Sequence, residues 1–195
     1  MMHKVPGDPC AIALPLPVAV LATGQGDQVR MMTCAWLAPV CEKPPIMAVA
    51  LRSGYHFRDV LERSGALTIQ LMGQDDLAIA DGCIIERTLP EAMSLWPRTR
   101  PLDAAFVATP LLQPGLLHLE ARLRAHHTFG GSHELYLVDI LRNWYDSTIL
   151  TPTGYVDFDT FPYLSFTMGQ YRGHAVRLSQ RSNDRPYRPS LGGTT

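Results

Sequence analysis

The chain lacks any pair of cysteines at the close spacing of a zinc ribbon or a redox couple: Cys10, Cys34, Cys41 and Cys83 are scattered. They read as reduced thiols, which fits a cytoplasmic protein. An excess of charge of either sign is also missing. Seventeen Lys and Arg stand against eighteen Asp and Glu, so there is no broad positive field for nucleic acid or an anionic membrane surface to exploit. No apolar run is long enough to span a bilayer. The nearest candidate, residues 10–22, is broken by Pro15 and Pro17, and Pro6, Asp8 and Pro9 spoil a signal-peptide start. It reads as an extended lead-in to a strand. Finally, no Ser-His-Asp set and no carboxylate pair stands out, so no catalytic acid or base is assigned.

The 195 residues, 46% hydrophobic and 18% charged, are enough to bury a core and suit one domain spanning 1–195. Sixteen prolines and fifteen glycines spread along the chain imply many short elements joined by tight turns. The expected class is mainly β with a few helices, as in a barrel or sandwich. The folded part should cover about 17–171, and the polar, Arg/Pro/Gly-rich end, 179–195, reads as a flexible tail.

Strands are expected at 17–23 and 29–34, joined as a hairpin by Gly24-Gln25-Gly26-Asp27, and at 46–51 and 66–72. Helices are expected at 55–64, ended by Gly65, and at 75–85, with a short one around 91–96. Residues 88–114 carry five prolines, which predicts an irregular excursion, either a lid over a ligand or packing against the barrel. The clearest alternation follows. Leu117, Leu119, Ala121, Leu123 and Ala125 share one face, and His118, Glu120, Arg122, Arg124 and His126 the other, predicting a half-exposed strand. Gly130-Gly131-Ser132 then turns the chain into a second long strand through Trp144, and shorter strands are expected at 156–158 and 163–166.

The most specific stretch is 31–56. Small residues, Thr33, Cys34 and Ala35, run into Trp36 and would let a flat ligand approach backbone amides. A buried strand then ends at Arg52-Ser53-Gly54, just before the helical pattern at Tyr55 and His56. A guanidinium, a hydroxyl and a helix start at one point suit a phosphate, although a solvated basic turn has the same composition. Cys34 reads as a small buried residue rather than a reactive thiol. A metal-dependent hydrolase using His126, His127 and His133 is disfavoured, because adjacent strand residues point to opposite faces; no metal is expected.

Taken together, Met32-Thr33-Cys34-Ala35-Trp36, Pro44-Pro45 before a buried strand, Arg52-Ser53 before Tyr55-His56, and Gly131-Ser132-His133 resemble flavoredoxin and the flavin-reductase-like proteins over about 17–171. The resemblance implies an FMN-binding split β-barrel. It implies that Met32, Thr33, Cys34, Ala35 and Trp36 lie along the flavin ring, and that Arg52, Ser53, Tyr55 and His56 hold its phosphate end. The family often has Gly-Asp-His where this chain has Gly131-Ser132-His133, a motif associated with the approach of the nicotinamide donor. His56 stands where relatives usually have Ser or Thr. The implied function is an FMN flavoprotein, either a flavin reductase using NADH or NADPH or a flavoredoxin-like electron carrier. Its small-molecule donor and acceptor meet a homodimer. The alternative is an FMN-binding module without turnover.

Overall fold

The computed structural model describes residue 10, residues 13–157 and residues 162–174. The expected tail, 179–195, lies outside the described residues. In chain order the strands are β1 (Leu16–Pro17), β2 (Ala19–Thr23), β3 (Arg30–Cys34), β4 (Leu37–Cys41), β5 (Ile46–Arg52), β6 (Ala66–Leu71) and β7 (Arg87–Thr88). After them come β8 (Arg100–Leu102), β9 (Leu111–Gln113), β10 (Leu117–His127), β11 (His133–Tyr145), β12 (Tyr163–Thr167) and β13 (Gln170–His174). The helices are α1 (His56–Ser64), α2 (Leu77–Gly82) and α3 (Leu89–Leu95).

Eight strands form one antiparallel sheet in the order β4-β5-β11-β10-β6-β2-β3-β7. Its end strands do not pair with each other, so the barrel is open. A small sheet, β1-β12-β13, and the β8-β9 hairpin stand beside it. Strand β2 explains the layering. Its sequence Ala-Val-Leu-Ala-Thr is buried at every position because alternate side chains enter two different cores. Ala19 and Leu21 join the interior cluster with Leu67, Ile69, Val49 and Val138. Val20 and Ala22 join an outer cluster with Met31, Ile79, Ala80, Leu89 and Leu112.

Helix α1 plugs the interior. Phe57 and Leu61, four residues apart on one face, are fully buried in the first cluster. Gly65 ends the helix at φ 65°, and its N–H donates to Leu61 O at 2.8 Å, the left-handed cap that glycine adopts without a Cβ clash. Tyr55 is the cap residue rather than part of the helix. The fixed ends of α1 and β5 bring Arg52 and Tyr55 to the mouth of the barrel.

Several sequence expectations need correction. The helix at 75–85 is shorter: a 3-10 turn at Gln74–Asp76 leads into α2, which ends at Gly82. Helix α3 starts two residues before the expected 91, because Thr88 Oγ1 accepts from Glu91 N at 3.3 Å while the Glu91 carboxylate accepts from Thr88 N at 2.7 Å, with Pro90 in the first turn. Thr88→Ala should therefore lower the stability by about 1 kcal/mol in urea unfolding, with Thr88→Ser nearly neutral; equal losses for both would place the effect outside the cap. Strand β4 is not among the expected strands; it carries Pro39 and lies at the edge of the sheet, where proline is tolerated. At 156–158 only a bridge from Val156 to Leu150 forms, and Phe158 is outside the described residues.

The largest correction concerns β10. Its first half is buried on both faces, with His118 at 7% and Glu120 at 0% exposure, not half-exposed. The proline-rich excursion covers the outer face: Thr68 Oγ1 donates to Pro110 O at 2.7 Å, and the Glu120 carboxylate accepts the N–H groups of Ala105, Phe106 and Val107. Trp144 Nε1 donates to the same carboxylate at 2.7 Å. The Arg142 guanidinium lies 5.4 Å from the Phe106 ring centre and 5.3 Å from that of Trp144. Residues 105–110 thus pack against the barrel from outside, as one of the two expected roles of this segment had it.

Candidate functional site

Three chain segments meet at the barrel mouth. Strand β3 runs out at Cys34, and Ala35 and Trp36 lead into β4. Strand β5 ends at Arg52, directly opposite His133 at the start of β11. The segments are tied by backbone bonds, Ala50 N to Trp36 O at 2.8 Å and Ser53 N to Ser132 O at 2.9 Å. Between them lies a cleft of about 300 Å³ lined by Met32, Thr33, Cys34, Ala35 and Trp36, by Arg52 and Tyr55, and by His133. Eight of the residues singled out from the sequence therefore share one cavity.

Four others stand back from its lining. Ser53 Oγ approaches Gly131 O at 3.5 Å, and Ser132 Oγ is 2.9 Å from His133 Nδ1, so Ser53, Gly131 and Ser132 brace the rim. His56 is exposed, with Nδ1 3.8 Å from Asp59 Oδ2 on the next turn. The sequence reading missed Val18, Ala50, Ile84, Phe166 and Tyr171, which complete the lining. Phe166 and Tyr171 come from the β12-β13 hairpin and meet edge to face at 5.4 Å. Their place is set by strand pairing more than a hundred residues after β3, which local pattern does not encode.

The electrostatics of the cleft are simple. Among the described residues that line it, Arg52 alone carries a fixed charge. His133 stacks on Trp36 with ring centres 4.4 Å apart at 23°. Burial and the Arg52 charge together hold its imidazole below the ordinary histidine range, so the ring is neutral at neutral pH. Burial pushes the Cys34 thiol up to about 12, which leaves it protonated and inert, as the small-residue reading expected. Thr33 is committed elsewhere, its hydroxyl donating to Ala80 O at 2.5 Å and its N–H to Cys83 O at 2.8 Å. Trp36 remains 50% exposed, free to meet a ligand.

These features suit a flat, mostly apolar ligand with one anionic end. Small side chains at Cys34, Ala35 and Ala50 leave room beside the backbone, aromatic rings flank the opening, and Arg52 marks the anionic end. A larger hollow of about 840 Å³ is lined by Asp75, Asp76 and Asp146 and by Pro97, Arg98 and Arg100 of the proline-rich segment; it collects none of the candidate cofactor-binding or donor-binding residues.

The histidine trio weighed as metal ligands does not assemble. His126 Nε2 is 2.6 Å from Glu134 Oε2 and its ring stacks on Tyr136 at 4.4 Å, whereas His133 faces Trp36. Among the described residues, Glu62, His126 and Glu134 do bring ligand atoms within 4.8 Å of one another. Arg58 already occupies that group, 2.7 Å from Glu134 Oε2 and 3.0 Å from the Tyr136 hydroxyl, which in turn donates to Glu62 at 2.8 Å. A guanidinium inside the cluster makes it an ion-pair network that anchors α1 to the hairpin. No helix among the described residues is long and apolar enough to cross a membrane.

Residues 12–173 match the family model described as flavin reductase like domain. No curated protein sequence matches the chain. Among solved structures, the flavoredoxin of Desulfovibrio vulgaris (Miyazaki F) superposes with a TM-score of 0.81 at 20% identity, covering 93% of this chain and 98% of that one. The flavoredoxin from Methanosarcina acetivorans gives 0.79 at 16% identity, covering 93% and 97%. A split-barrel-domain protein from Shewanella frigidimarina NCIMB 400 gives 0.70 at 15% identity, covering 89% and 86%. At these identities the likeness establishes the split-barrel fold.

Proposed function

The chain belongs to the flavin reductase-like family, and on that footing we propose that it holds FMN in the cleft between Trp36, Arg52 and His133 and passes electrons between a donor, NADH or NADPH, and a small-molecule acceptor. The observation that carries this reading is the convergence of β3-β4, β5-α1 and the start of β11 on one cavity with a single guanidinium at its end. Bound flavin supplies the redox chemistry, so the protein needs no acid or base of its own. Its residues bind and orient. The small side chains at Cys34 and Ala35 admit the ring edge to the backbone, and Arg52 with the Ser53 turn holds the phosphate. Trp36 and His133 form the wall that a second ligand would meet. The test is to purify the protein, record its absorbance, release the chromophore by denaturation for mass measurement, and mix the loaded protein anaerobically with NADH and with NADPH. Protein that takes up no flavin even when FMN is added would end the proposal.

The rim histidine offers a sharper check. His133 is neutral, held by Ser132 on one side and stacked on Trp36. Replacing it with Ala should leave FMN affinity nearly intact and slow anaerobic flavin reduction about tenfold, the worth of one contact to the second ligand. Ser132→Asp should alter nicotinamide use more than flavin binding. Stopped-flow traces that superimpose for the wild type and both variants at equal flavin occupancy would favour the binding-module alternative, for which the serine in this rim is the best support.

A homodimer with the cleft near its interface completes the reading. Trp144 and Tyr145, at the end of the second long strand, make contacts within the protomer, Trp144 with Glu120 and Arg142 and Tyr145 in a cluster with Ile149 and Val156, although Trp144 is still 38% exposed. The face that fits a second copy is instead the edge at β4. There Leu14, Trp36 and Val40 are exposed, and an apolar groove of about 320 Å³ shares Trp36 and Ala50 with the cleft. Light scattering at micromolar concentration should give the dimer mass; a monomer with flavin bound would refute it.

A further inference from the structure

We propose that Glu86 is a positioning residue for the phosphate end of the cleft: its carboxylate caps the first turn of α1 from a distant loop, fixing where the helix begins and countering the positive end that the helix would offer a ligand phosphate. The proposal rests on the FMN reading above. Helix α1 has no local cap, since the Tyr55 side chain makes no capping bond. Phe57 N donates instead to Glu86 Oε2 at 3.0 Å, across 29 positions of chain. The Glu86 side chain is 8% exposed, and Oε1 makes no hydrogen bond, with Arg30 Nε at 3.6 Å as its nearest cation. A carboxylate buried this far is held for its charge and geometry rather than for solubility.

The loop that carries Glu86 also carries Ile84, a wall of the cleft. Its other end is strapped to the cleft strand through Thr33, which donates to Cys83 O and Ala80 O. Residues 80–86 thus link β3, the cleft wall and the start of α1 as one brace. The charge matters separately. A helix N-terminus carries roughly half a positive charge, and here a first-turn amide and part of that field are already taken by Glu86. A phosphate arriving at Arg52-Ser53 meets one exposed guanidinium and a helix end whose field is already partly offset. Glu86 therefore sets how strongly the cradle favours a phosphorylated flavin over an unphosphorylated one.

Glu86→Gln separates the two roles, since its amide oxygen still accepts from Phe57 N while the charge, and with it the pairing to Arg30, is gone. Fluorescence titration with FMN and with riboflavin reads both. For Glu86→Gln the expectation is riboflavin affinity unchanged and FMN affinity raised roughly two- to five-fold, the size of a charge effect at a helix end, shrinking as salt is added. Glu86→Ala, which leaves the amide uncapped and the Ile84 wall loose, should weaken both flavins. Equal responses of FMN and riboflavin to Glu86→Gln, or no response, would reduce Glu86 to an ordinary structural cap and overturn the proposal. Wild-type protein that binds neither flavin would instead overturn the FMN reading and this proposal with it, whereas a wild type that prefers FMN beside an unresponsive Glu86→Gln sinks the Glu86 role alone.

Discussion

Glu120→Ala should lower the stability by about 2–4 kcal/mol, read as a fall in the urea midpoint at unchanged slope, with flavin affinity little altered. The carboxylate is fully buried on the outer face of β10 and accepts four donors, three consecutive backbone N–H groups at Ala105, Phe106 and Val107 and the Trp144 indole. Bonds to a charged acceptor are the stronger kind, and removing the acceptor leaves every donor without a partner. One fact limits the cost: Ala105 and Phe106 are exposed, so those amides regain water once the loop loosens. Glu120→Gln offers no relief. One carboxyl oxygen serves Ala105 N and Trp144 Nε1 while the other serves Phe106 N and Val107 N, so the amide nitrogen would face donors whichever way it turned. A loss under about 1 kcal/mol for either variant would mean that water replaces the carboxylate without penalty.

The same residue marks the boundary of what was legible beforehand. Alternation along 117–126 identified β10 correctly as a strand and identified its inward side, Leu119 and Ala121, correctly. It gave the opposite side to solvent because His118 and Glu120 are polar. What covers Glu120 is a loop some fifteen residues earlier, satisfied by backbone hydrogen bonds rather than by apolar contact, and hydrophobic periodicity carries no trace of such a cover. Strand β2 shows the converse. An unbroken apolar run needs two cores, and Ala19–Thr23 has them.

Within the site, the residues read from the sequence were those whose chemistry is local. Small residues running into Trp36 and a guanidinium-hydroxyl-glycine turn between a strand and a helix are visible in ten or twenty positions of chain, and the structure brings most of them to one cleft. Ile84, Phe166 and Tyr171 were invisible because apolar side chains look alike wherever they pack. Glu86 was invisible for another reason: a cap supplied from 29 residues away leaves α1 without any local signal at Tyr55.

Arg52→Ala should weaken FMN about tenfold, near the lower end of the roughly 1.5–3 kcal/mol expected for charge-assisted bonds, and leave riboflavin nearly unaffected. The lower end applies because Arg52 is exposed at the rim, where water screens its charge. The discrimination follows from the ligand: riboflavin lacks the phosphate that the guanidinium would meet, and both share the ring that Trp36 and Ala35 would contact. A second readout comes from His133, which lies opposite Arg52 across the strand pair. Burial is the first cause of its lowered pKa and the Arg52 charge the second, so removing the charge lets the imidazole take a proton at higher pH than in the wild type, visible in an NMR titration of the ring. The two effects are independent, since the first needs bound phosphate and the second needs only the strand pairing. Equal losses for FMN and riboflavin would remove Arg52 from the phosphate. An unmoved His133 titration would show that the residues opposed in the ladder do not sense each other's charge, and that burial alone keeps the ring neutral.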